Sequence, residues 1–204
     1  MRIRFFGALA ALLLFAVPLT AFSPDPPAQV APYAVDKAHS QVQFKVKHLG
    51  ITTVTGNFQD FDIELNLDPE DLASLQTSAT IQAASIDTGI ERRDGHLRSG
   101  DFFEAETYPT LTFVSTGTRN VSGNQFELLG DLTIRDVTKP VVLTVEMAGP
   151  VTDMEGKQRV AFTASTRIDR KDYGLQWNRV VEGVNVVSDD VDIVLDLQAA
   201  PADV

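Results

Sequence analysis

Apolar and polar residues alternate through most of this chain, and a period of two is the mark of a β-strand with one buried face. Val42, Phe44 and Val46 share one face, while Gln41, Gln43, Lys45 and Lys47 share the other. Phe61, Ile63, Leu65 and Leu67 alternate with Asp62, Glu64 and Asn66. The pattern returns in residues 126–134 (Phe126, Leu128, Gly130, Leu132, Ile134) and 141–147 (Val141, Leu143, Val145, Met147). It returns again in 160–168 (Val160, Phe162, Ala164, Thr166, Ile168) and 191–197 (Val191, Ile193, Leu195, Leu197). Shorter stripes occupy 75–83, with Ile81, and 111–115, with Phe113. Between Phe58 and Phe61 the apolar parity changes, which predicts a β-bulge at Gln59-Asp60.

The stripes amount to about eight strands, with turn signals at Asp68-Pro69, Gly123-Asn124, Gly149-Pro150 and Gly156. Residues 69–75, 88–103 and 169–185 lack the alternation and leave room for one or two short helical turns. Such a chain is all-β, and the expected fold is a single antiparallel β-barrel of about eight strands. Eight strands enclose either a side-chain core or one small ligand. Twelve Phe against three Met and one Trp suggest an aromatic-lined apolar interior. A fully packed core would show the same periodicity. The candidate tunnel lining is the inward set Phe44, Val46, Phe61, Ile63, Ile81, Phe113, Phe126, Leu128, Leu132, Leu143, Val145, Phe162, Ala164, Ile193 and Leu195. A membrane barrel alternates too, with its apolar side outward and aromatic girdles at both rims. Three Tyr and one Trp cannot build those girdles.

The N-terminus bears on compartment. Arg2 and Arg4 precede an apolar run over residues 5–17, followed by Pro18 and the small residues Thr20 and Ala21. That is the layout of a secretory signal peptide, residues 1–21, cleaved near Ala21. The run falls short of the roughly 20 apolar residues a spanning helix needs. Residues 22–32 are proline-rich and read as an extended tether, leaving 33–199 as the barrel domain. No cysteine is present, so neither a disulfide nor a lipidated cysteine is possible. Removing Arg2 and Arg4 from the 17 basic residues leaves 15 against 28 acidic ones, a formal charge of −13. A balance this acidic disfavours nucleic acid and anionic membrane surfaces.

Residues 92–113, RRDGHLRSGDFFEAETYPTLTF, gather the chemistry-bearing groups. Asp94 and His96 could act as a general acid–base pair on a bound lipid, with His48 at the strand end beside the Gly50 turn. Residues i and i+2 do not share a helix face, however, and Gly95 weakens the helix between them. There is no GxSxG, no HExxH and no cysteine nucleophile, so no catalytic residue is assigned. His39, His48 and His96 lack the i,i+2 or i,i+4 spacing of a short metal motif, and no metal or cofactor is expected. The expected polar rim is His48, Asp94, His96 and Arg98, with Tyr173 and Trp177 from the third non-strand segment. Asp94, His96, Arg98 and Asp101 should satisfy one another and the turn's backbone, while Phe102 and Phe103 pin the turn over one end of the barrel.

Four blocks carry a family resemblance: YAVDKAHSQVQFKVKHLGITTVTGNF (33–58), ERRDGHLRSGDFFEAETYPTLTF (91–113), GDLTIRDVTKPVVL (130–143) and IDRKDYGLQW (168–177). In this order they resemble the YceI-like family over nearly the whole mature chain. The resemblance implies a lipocalin-like barrel exported to the periplasm that encloses a polyisoprenoid, an isoprenoid quinone or a similar long-chain amphipathic lipid. It also implies a cytochrome b561-type membrane protein as a partner, while the sequence leaves open whether two chains form a homodimer. Two residues depart from the usual pattern: Asp136 stands where Gly often precedes Val-Thr-Lys-Pro, and Tyr173 where Phe is frequent.

Overall fold

The structure, a computed structural model, describes residues 29–202. Its strands close into an eight-stave antiparallel barrel in which neighbours along the chain are neighbours in the sheet. Three staves are broken in two. The first is β1 (Ala31–Val35) and β2 (Gln41–His48), the second β3 (Thr52–Phe58) and β4 (Phe61–Asp68), and the third β5 (Asp71–Gln82) and β6 (Ile86–Asp87). The other five are uninterrupted: β7 (Thr110–Ser122), β8 (Gln125–Ile134), β9 (Val137–Thr152), β10 (Gln158–Asp169) and β13 (Val187–Pro201). β13 closes the ring by pairing with β10 on one side and with both β2 and β1 on the other. Closure leaves no long unpaired edge among the described residues.

The breaks have local causes. Between β1 and β2 the chain makes a short 3-10 turn, Lys37–His39, capped by Asp36, whose carboxylate accepts from the Ala38 amide at 3.1 Å. The Asp36 amide still donates to Gln198 O at 2.8 Å, so the stave stays tied to β13 across the gap. At Gln59-Asp60, where the parity change lies, the chain passes from pairing with β2 to pairing with β1. A second 3-10 turn, Ala83–Ser85, separates β5 from β6.

The two ends differ. At the base the connections are short turns at 69–70, 123–124 and 153–157. At the mouth the β6–β7 connection carries helix α1 (Glu91–Arg98), and the β10–β13 connection carries a 3-10 turn (Arg170–Tyr173) and a small hairpin. The hairpin strands are β11 (Val180–Val181) and β12 (Val184–Asn185). The buried residues fall into two matching clusters. One, at the base, holds Tyr33, Leu67, Phe126, Met147 and Phe162; the other, toward the mouth, holds Phe58, Phe61, Ile81, Phe102 and Tyr173.

The barrel, its eight staves and its short helical turns are those the alternation predicts. Three local expectations need correction. Residues 69–75 are not a non-strand segment, because β5 begins at Asp71 and Leu72 and Leu75 already bury their side chains in the base cluster. Gly149-Pro150 is not a turn: it lies within β9 with a cis peptide bond, where the register against β10 shifts by a bulge. Gly149 takes φ 97°, and a Cβ there would lie 2.7 Å from Arg159 O, so glycine serves a close strand crossing rather than a reversal. Strand β1 starts at Ala31, inside the stretch read as a tether, with Pro32 opposite Asn66. The rest of that stretch before Gln29, and the whole signal-peptide segment, lie outside the described residues.

Candidate functional site: an apolar tunnel behind a basic mouth

Three adjoining spaces, which share lining residues, run from the mouth toward the middle of the barrel. The outermost, about 230 Å³, lies among β2, α1 and the β10–β13 connection. The second, about 90 Å³, lies beneath Leu97, Phe102 and Phe103 and reaches Ile134, Ile168 and Leu175. The innermost, also about 90 Å³, is walled by Ala79, Ile81, Leu111, Phe113, Leu132, Val141, Leu143 and Leu195 among others. Phe44 lines all three, and Phe58 the inner two. Phe44 therefore stands where the chambers meet.

Two glycines keep that passage open. Gly56 lies directly opposite Phe44 in the β2–β3 ladder, and a Cβ on it would fall 2.3 Å from the ring tip of Phe44. A Cβ on Gly130 would fall 2.2 Å from the ring of Phe113. No side chain tolerates such distances, so each ring lies flat in the notch left by a glycine of a neighbouring strand. A ring folded onto the wall occupies little of the bore.

The mouth is roofed by aromatic side chains. His96 meets Phe102 edge-on at 5.1 Å and Trp177 edge-on at 5.0 Å, and Phe102 and Trp177 are 5.3 Å apart. Phe103 contacts Phe58 edge-on at 5.8 Å, and Phe58 contacts Phe44 at 5.9 Å. These are ordinary aromatic-pair separations, each worth about 0.5–1.5 kcal/mol beyond area burial.

Polar side chains hold the roof in place. Asp94 is buried and accepts from the Thr88 amide at 2.9 Å and from the Thr88 hydroxyl. Arg93 donates from Nε to Thr88 Oγ1 at 2.7 Å and from Nη2 to Thr88 O at 2.8 Å. Arg98 reaches back to Ala84 O, Ile86 O and Glu91, tying α1 to the start of its own connection. His96 pairs with Asp101 at 2.8 Å; a carboxylate only accepts here, so Nε2 is the donor. Asp94 and His96 thus serve different partners, and no hydrogen bond joins them.

Arg170 anchors the other half of the roof. It is buried, and donates from Nε to Ser188 O at 2.9 Å and from Nη1 to Leu175 O and Trp177 O. Its Nη2 meets Asp189 at 3.2 Å. Burial pushes its pKa down, and the charges of Asp189 and Asp169 oppose that shift. Tyr173, beside it, is buried too, and its phenol is pushed up to about 12 by burial and then by the charge of Asp172.

Of the residues singled out from sequence, Phe44, Val46, Ile81, Phe113, Leu132, Leu143, Ile193 and Leu195 line the chambers. Phe126, Leu128, Val145, Phe162 and Ala164 lie in the packed base cluster instead. Phe61 is buried and Ile63 packs against the mouth cluster without reaching the open space. His48, His96 and Trp177 border the mouth, whereas Asp94 and Arg98 tie α1 to residues 84–88 without lining the chambers, and Tyr173 is buried. Phe58, Leu97, Leu111, Ile134, Arg170 and Val187 also line the chambers, outside the candidate lining, although Leu111 and Ile134 belong to the alternating stripes. The parity of Phe58 on β3 is visible in sequence. Nothing in the spacing marks Arg170 as an inward cation.

Fold and site together define a closed up-and-down barrel with an apolar interior opening at one end. The model of the YceI-like domain matches residues 33–199, and the chain belongs to that family. A UPF0312 protein of Vibrio cholerae is 39% identical over 166 residues, covering 80% of this chain and 88% of its own. The crystal structure of the Campylobacter jejuni YCEI protein is similar at 32% identity and a TM-score of 0.68, covering 83% of this chain and 98% of the other. A polyisoprenoid binding domain from Saccharophagus degradans, implicated in plant cell wall breakdown, shares the fold at 18% identity and a TM-score of 0.58, covering 85% and 100%.

Proposed function

We propose that this protein binds and carries a polyisoprenoid, an isoprenoid quinone or a similar long-chain amphipathic lipid, with the tail threaded past Phe44 and the head at the mouth. The observation that carries the reading is the line of adjoining apolar chambers, with Phe44 and Phe113 folded into the notches at Gly56 and Gly130 and a roof of rings rather than of backbone alone. Each methylene moved from water into such a wall contributes about 0.8 kcal/mol, so a long tail needs few polar contacts. The Saccharophagus degradans domain, named for polyisoprenoid binding, supports the reading through its shared fold. A signal peptide over residues 1–21 fits a periplasmic site of action, and no helix among the described residues is long and apolar enough to cross a membrane. Carriage is favoured over catalysis because Asp94 and His96 are held by separate partners, Thr88 and Asp101.

The test is solvent extraction of protein purified from the osmotic-shock fraction, followed by mass spectrometry. A co-purified prenyl lipid at near-stoichiometric amount is the expected result. Protein that stays in the membrane fraction with Met1 intact overturns the compartment. Stoichiometric conversion of an added prenyl lipid, lost in His96→Ala while binding persists, overturns carriage.

A further inference from the structure

The mouth chamber is charged in the sense opposite to the chain. The whole sequence carries 28 acidic and 17 basic residues, yet among the described residues no carboxylate lines this chamber, and Arg93, His48, His96 and Lys47 do. Their availability differs. Lys47 sends its ammonium to Thr53 Oγ1 at 2.9 Å, on the outer face of the β2–β3 ladder. His96 commits Nε2 to Asp101. Arg93 uses Nε and Nη2 on Thr88 and has no carboxylate paired with it among the described residues; Asp94 is linked to it only through the Thr88 hydroxyl. The ring of His48 has no hydrogen-bond partner among the described residues, although it borders the same space.

We propose that Arg93 and His48 form a head-group site for an anion, so that the cargo is an amphiphile with one apolar tail and a carboxylate or phosphate head. This rests on the tunnel reading and narrows it. A guanidinium fixed through two of its nitrogens keeps Nη1 as an oriented, charged donor, and hydrogen bonds from an ionised donor to an anion are about twice as strong as neutral ones. Val46, Leu97, Phe102 and Trp177 border the same chamber, so an apolar tail leads directly from the half-buried Arg93 and the exposed His48 into the barrel. An uncharged quinone or prenol would offer Nη1 no anionic partner.

The experiment is displacement of a fluorescent fatty-acid probe from the full mature chain by two matched pairs. One pair is palmitate and methyl palmitate; the other is geranylgeranyl phosphate and geranylgeraniol. At low salt the anion of at least one pair should bind about tenfold tighter than its neutral partner. Arg93→Gln should bring that ratio near one, Arg93→Lys should restore part of it, and His48→Gln should lower it less than Arg93→Gln does. Preference within the palmitate pair alone identifies a carboxylate head, and preference within the prenyl pair alone a phosphate head. Equal binding within both pairs, or a ratio unmoved by Arg93→Gln in protein whose melting temperature matches the parent, overturns the head-group site and leaves the tunnel standing. Failure of all four to displace the probe overturns the tunnel reading itself.

Discussion

The base and the mouth of this barrel are built from the same residue types on the same staves, yet one half is filled and the other holds open chambers. At the base, Phe126 stands opposite Val145 and Phe162 opposite Met147 and Leu197, so each ring projects into side chains of similar bulk. Nearer the mouth, each ring has a bulky neighbour on one side only: Phe44 stands between Ile193 and Gly56, and Phe113 between Leu132 and Ala79, with Gly130 beneath its ring. The difference lies in what faces the ring. Across a sheet, the neighbour opposite decides whether an aromatic side chain fills the interior or lies against the wall.

Five substitutions sharpen or break this contrast. The largest effect belongs to Phe126→Ala, which leaves a void in a well-packed cluster and should cost about 3–5 kcal/mol with little change in ligand affinity. Phe44→Ala, beside existing space, should cost less; equal losses in chemical-denaturation curves would break the contrast. Next comes Ala164→Phe, which overpacks the base and should cost about 1–3 kcal/mol or more. Thermal melts read this directly, and a neutral outcome would mean that the base holds hidden room.

The third effect is confined to alkaline pH. The Tyr173 phenol sits at about 12 in the fold, against a reference value of 10.0. The unfolded chain therefore loses this proton first. The stability contributed by keeping the phenol neutral is fully present below about pH 10 and is lost as pH climbs toward 12. Tyr173→Phe should flatten the fall in melting temperature over that window by the equivalent of about 2 kcal/mol. Tyr33 in the base, raised as well by burial and Asp68, provides the comparison for the other half. The smallest effect on stability is expected for Ala79→Leu, which extends into the innermost chamber. It should move the melting temperature by under about 1 kcal/mol equivalent while shortening the longest tail that binds, measured with a chain-length series of ligands.

Alternation told which face of each strand is buried, and hence the barrel, because a period of two is a property of single strands. It did not tell which inward residues meet a wall and which meet space. Ala164 and Ala79 have the same parity and size, but one lies among the packed side chains of the base and the other borders a chamber. That distinction depends on register between strands distant in sequence. The Phe44–Gly56 notch was legible in principle, since a short β2–β3 hairpin sets that register, whereas Phe113 over Gly130 depends on a bulged ladder. Of Asp94, His96, Arg98 and Asp101, expected to satisfy one another, only His96 and Asp101 pair, and no side chain caps the start of α1. Thr88 as the partner of Asp94, and Ala84 and Ile86 as those of Arg98, required the fold, and Tyr173 lies deeper than a rim position.

The three interrupted staves are neighbours, and their breaks at 36–40, 59–60 and 83–85 fall side by side. Bonds such as Gln59 N to Ser85 O at 3.1 Å and Gln82 N to Asp60 O at 2.9 Å bridge this line, which forms a crease across one side of an otherwise uninterrupted sheet. A sheet creased along one line has two natural units of cooperative opening. Amide hydrogens of β2, β3, β6 and α1 should exchange together and sooner than those of β8, β9 and β10. Cargo should slow the first group and leave the second unchanged. A panel that swings on the crease would let a long tail leave sideways, at a rate set by local opening, while the base stays folded.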